Sequence, residues 1–126
     1  MTKETWIYIC GIYSFGFAVF HVFFWKLFRW KEDLQKLSRP NRGIMQILNL
    51  RIIYYFVFVS VICFAFPQEL GETGLGRSFL AGNALFWTGR TVEQFIFLRI
   101  NHRMVHILTL LFISGIFLFA IPAFGE

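Results

Sequence analysis

The chain has 126 residues, 57% of them hydrophobic, 21% aromatic and 15% charged, with a formal net charge of +5. A charged share so far below the roughly 25% of soluble domains excludes a water-exposed globule, and so apolar a chain does not remain disordered. At about 20 apolar residues per crossing, the length holds four membrane helices and leaves no stretch polar enough for a second domain.

The predicted helices run from about Trp6 to Leu27, Ile44 to Phe66, Ser78 to Leu98 and Met104 to Phe124. Each spans a hydrocarbon core of roughly 30 Å, and the runs are too long and unbroken for barrel strands. The first is longer than a signal peptide, rich in bulky aromatics and without a small-residue cleavage site, so it is read as a retained helix. Between the first two helices, Phe28 to Arg42 is basic and contains Pro40, with Leu34 and Leu37 spaced for an interfacial helical turn. Pro67, Gly71 and Gly74 punctuate the second connection. Residues 99–103 form a tight turn, which makes the third and fourth helices antiparallel neighbours.

Seven Lys and Arg lie in the first and third connections, and Lys26 at the adjoining end of the first helix makes eight, against Lys3 and Arg77 on the other side. The expected topology is therefore an antiparallel four-helix bundle in the bacterial inner membrane, with both basic connections in the cytoplasm and both termini outside. The positive charge reads as a topology signal and not as nucleic-acid binding.

Ionisable groups within apolar spans are costly and are functional candidates by default. At ~1.5 Å per residue from the basic flank, His21, Asn49, Glu93 and His106 fall ~5 to 9 Å deep, with Arg51 and Arg90 deeper still. At 100° per residue, Cys10, Ser14, Phe17, His21 and Trp25 share a stripe. So do Arg42, Gln46, Asn49 and Ser60; Asn83, Trp87, Arg90 and Gln94; and His102, His106 and Thr109. Turning these seams inward gives a polar pocket open to the cytoplasm, with His21, Asn49, Trp87, Arg90, Glu93, Gln94 and His106 as candidate ligand-binding residues. Each has a structural alternative. The amides are common helix–helix glue, Arg90 and Glu93 could be an ion pair, and Arg51 could snorkel to the headgroups.

The favoured reading is a protein that binds or passes a small or amphiphilic ligand. The first alternative is a haem or metal redox protein, with His21 and His106 as axial ligands, or His21, Glu93 and His106 (or His102 in place of one) around a metal ion. Its only ligand-like spacing is His102 and His106 four apart, which is common by chance. Catalysis on a hydrophobic substrate, with Glu93 or His21 as acid–base group, is open but unmarked by any nucleophile motif. A further alternative is an accessory subunit whose polar residues specify packing within a larger complex. A homo-oligomer is expected, and Gly82 and Gly89 would permit close helix contact. Cys10 and Cys63 lie near the outer ends of their helices; two buried free thiols are favoured over a disulfide.

The strings HVFFWKLFRWKEDL (His21 to Leu34), NRGIMQILNL (Asn41 to Leu50) and ALFWTGRTVEQFIF (Ala84 to Phe97) resemble a family of short four-helix bacterial inner-membrane proteins. The resemblance implies a cytoplasmic-membrane setting and brings no activity or site residue with it.

Overall fold

Long apolar runs form helices throughout the computed structural model, which describes residues 1–125. The elements are α1 (Lys3–Val22), α2 (Phe24–Leu27), α3 (Trp30–Asp33), a single 3-10 turn (Leu34–Lys36), α4 (Arg39–Ala65), α5 (Pro67–Glu72), α6 (Gly74–Phe97) and α7 (Arg103–Phe124). No strand occurs among the described residues. Three helices, α1, α4 and α7, are long and apolar enough to cross a membrane. At 24 residues α6 matches them in length, but Arg77, Asn83, Arg90, Glu93 and Gln94 make it more polar.

The chain divides into two compact units, one formed by Met1–Cys10 with the chain from Cys63 onward, the other by Gly11–Ile62. In the Gly11–Ile62 unit, Phe17, Phe56 and Val59 are buried, and the Ser60 hydroxyl donates to the Gly11 carbonyl at 2.9 Å. The expected continuous helix to Leu27 is corrected here: α1 ends at Val22, and two short helices follow. Neither Pro nor Gly marks the break, so its cause is tertiary. Arg29 adopts the left-handed region (φ 54°, ψ 45°), at a cost of roughly 1 kcal/mol for a residue with a Cβ. Burial of Trp30 and Leu34 just beyond it offsets that cost, with Trp30 meeting Phe24 and Trp25 edge-on at 5.7 and 5.3 Å. The Arg42 guanidinium donates to the carbonyls of Leu34 and Leu37 and ties this connection to α4. α4 starts earlier than its apolar run, since Pro40 suits a first helical turn and the Ser38 carbonyl accepts the Arg42 N–H.

The other unit is built around α6 and α7. Trp87 stacks on Phe112 and the Gln94 amide reaches Val105, so the two helices run in opposite directions. Thr73 joins α5 to α6: its hydroxyl donates to the Glu69 carbonyl at 2.7 Å and accepts the Gly76 N–H at 2.9 Å. Gly76 is required at that junction, because a Cβ there would collide with the Glu69 carbonyl oxygen and the Leu70 backbone. Near the end of α7, Pro122 has no N–H to give the Leu118 carbonyl, four residues back. The Cys10 thiol donates to that carbonyl instead, at 3.0 Å. Both Cys10 and Cys63 are buried free thiols.

Candidate functional site

The side-chain hydroxyls of α6 and α7 are satisfied within their own helices. Ser78, Thr88, Thr91, Thr109 and Ser114 donate to carbonyls four residues back, at 2.7–2.9 Å. The Asn83 amide does the same with Phe79. These groups need no ligand to remain in apolar surroundings.

Within the Gly11–Ile62 unit, His21 and Asn49 meet, though not ring to amide. The Asn49 Nδ2 donates to the His21 backbone carbonyl at 2.9 Å. That carbonyl lies in the last turn of α1, where the helix leaves its own acceptors unserved. The His21 ring packs flat on Phe24 at 4.3 Å, and its Nδ1 lies 2.7 Å from the Phe17 carbonyl. Donation from Nδ1 would fix the tautomer that leaves Nε2 as the acceptor. Alongside, the Gln46 side-chain oxygen accepts the Trp25 indole N–H at 3.0 Å. Arg51 is exposed, with its guanidinium 5.7 Å from the Tyr54 ring centre.

In the other unit, Trp87 is 2% exposed and stacks on Phe112 at 5.5 Å. Arg90 is half-buried and lies over the same Phe112 ring, 4.6 Å from its centre. A desolvated cation over an aromatic face gains about 2 kcal/mol. Glu93 falls on the exposed side of α6, and no ion pair between it and Arg90 forms among the described residues. Gln94 is 1% exposed; its Nε2 donates to the Val105 carbonyl at 3.2 Å, while Oε1 has no hydrogen-bond partner. Among the described residues it is the one buried side-chain polar atom left so.

Gln94 also lines a cavity of about 270 Å³ at the α6–α7 turn, together with Phe95, Leu98, Arg99, Ile100, Asn101, Val105, His106 and Thr109. The turn itself is held by two tight backbone bonds, Ile100 N–H to Leu98 and His102 N–H to Ile100, both 2.9 Å. His102 caps α7 by accepting the Met104 N–H on Nδ1, which separates its role from that of His106. His106 Nε2 pairs with Asn101 Oδ1 at 2.9 Å. Of the candidate ligand-binding residues, the cavity brings together Gln94 and His106. It adds Arg99, Asn101 and Thr109, which sequence reading had placed in a topology-setting turn and a helical seam. The spacing of Asn101 five residues before His106 was the available signal.

A second cavity of about 300 Å³ lies beside α5, lined by Thr2, Lys3, Glu4, Pro67, Gln68, Gly71 and Glu72. Its ammonium is already engaged, since Lys3 donates to the Gly71 carbonyl at 2.9 Å. No group of three or more His, Cys, Asp or Glu is arranged to hold a metal ion among the described residues, so the set His21, Glu93 and His106 gains no support as a metal centre. No family model matches the chain, and neither a curated protein nor a solved structure matches it.

Proposed function

We propose that the protein is a multi-pass inner-membrane protein of the kind its sequence resembles. In this reading α1, α4, α6 and α7 cross the bilayer as an antiparallel bundle, with both termini outside and the basic connections in the cytoplasm. The cavity at the α6–α7 turn is then its cytoplasm-facing pocket, and it binds or passes a small amphiphilic ligand. The observation that carries this reading is the composition of that cavity. Gln94, Arg99, Asn101, His106 and Thr109 share its wall with Phe95, Leu98, Ile100 and Val105. Convergent polar groups within an apolar wall suit a ligand with a polar end and a hydrocarbon end. The volume is at the small end of ligand sites, which suits a head group and the start of a chain better than a bulky cofactor.

Filling the cavity tests the proposal. Thr109→Phe should weaken binding of a fluorescent fatty-acyl probe by the purified full-length protein at least about tenfold, an expected loss of 1.4 kcal/mol. Ser114→Phe, on the exposed side of α7, should leave it unchanged. Equal binding by both variants and the unsubstituted chain would refute the pocket.

A further inference from the structure

Building on the reading of this cavity as an amphiphile pocket, we propose that its occupant is an anionic phospholipid with a hydroxylated head group. The phosphodiester is held by Arg99, and a head-group hydroxyl donates to Gln94 Oε1. Oε1 is a buried acceptor without a partner, so what it lacks is a donor. Turning the amide over does not cure this, because the Val105 carbonyl that now receives Nε2 would then face another oxygen. Oε1 has no exposed surface of its own, so the hydroxyl reaches it as the head group parts the side chains that cover it.

The charge of the occupant follows from the other lining residues. Arg99 lines the cavity, Arg103 opens α7 immediately after the turn, and no carboxylate lines the wall. An ammonium head group would be repelled there, whereas a phosphate gains a charge-assisted hydrogen bond. Phe95, Leu98 and Ile100 are 58%, 38% and 55% exposed, and they offer acyl chains an apolar surface beside the polar groups. Free phosphate shares the anionic chemistry but makes no use of that surface.

Two lipids isolate the hydroxyl. Dioleoyl phosphatidylglycerol and dioleoyl phosphatidylethanol carry the same charge and chains, and only the first has free head-group hydroxyls. With the full-length protein in neutral detergent, phosphatidylglycerol should bind about tenfold more tightly, the size of one good hydrogen bond. Gln94→Met should reduce phosphatidylglycerol to the level of phosphatidylethanol and leave phosphatidylethanol unchanged. Arg99→Gln should weaken both lipids alike. Equal affinity of the two lipids for the unsubstituted chain, with Thr109→Phe still abolishing both, overturns the hydroxyl assignment and leaves the pocket standing. Absence of binding by either lipid and by the fatty-acyl probe removes the pocket and this assignment with it. Full displacement of phosphatidylglycerol by millimolar inorganic phosphate overturns the lipid as the source of the anion. If neither Gln94→Met nor Gln94→Leu folds, the comparison of the two lipids on the unsubstituted chain decides alone.

Discussion

Asn49 on α4 and Gln94 on α6 are both buried amides in helices of apolar character, at 5% and 1% exposure, yet they serve their surroundings differently. Asn49 gives its N–H to the His21 carbonyl, in the helix-end turn that α1 itself leaves unserved. Gln94 gives its N–H to the Val105 carbonyl, which already accepts the Thr109 hydroxyl at 2.8 Å, and leaves its own oxygen bare. One amide completes a helix; the other adds little to a carbonyl already served and retains an unmet need. Burial alone therefore does not separate a polar side chain that is fully served from one that is not. The state of the partner does.

The largest effect expected from this contrast is at Asn49. Asn49→Leu strands a carbonyl in the last turn of α1 and should cost about 1–3 kcal/mol in denaturant unfolding followed by helical circular dichroism in micelles. A loss below about 0.5 kcal/mol would show that water already serves that carbonyl and would end the contrast. Next comes Cys10, which resembles Asn49 in serving an orphaned carbonyl, here the one freed by Pro122. Cys10→Ala should cost about 1–2 kcal/mol by the same measurement, and Cys10→Ser should recover most of it, because the hydroxyl can donate where the methyl cannot. An equally destabilised Ser variant would assign the effect to packing instead. The smallest effect belongs to Gln94. Gln94→Met keeps the length, removes the bare acceptor and should shift stability by less than about 0.5 kcal/mol. A cost comparable to that of Asn49→Leu would make Gln94 a structural residue and erase the distinction.

The helical class, and the spans now seen as α1, α4 and α7, were legible because long apolar runs between basic connections leave few other solutions. The α6–α7 hairpin was legible from the shortness of its turn. The break after Val22 was not, since no local residue encodes it; it follows from where Trp30 and Leu34 find cover. The candidate site was legible in part. Residue type and helical angle drew attention to Gln94 and His106, but they could not reveal that Thr88, Thr91 and Asn83 satisfy themselves within α6. Nor could they show that Arg90 would settle on Phe112 while Glu93 faced outward. Hydrogen-bond closure depends on rotamers and on neighbouring carbonyls, and neither can be read from periodicity. The relation between Pro122 and Cys10 was half visible. A proline inside a helix announces a carbonyl in need, while the donor comes from a residue more than a hundred positions away.

That distance has a consequence for the order of assembly. Leu118 is synthesised more than a hundred residues after Cys10, so the clasp between them cannot close until the chain from α1 to the last turns of α7 has been made. Until then the opening helix keeps an unspent S–H, and the newest turn of α7 arrives with a carbonyl ready to receive it. Proline at this place thus works as a latch, making a late turn of α7 the piece that fastens Cys10.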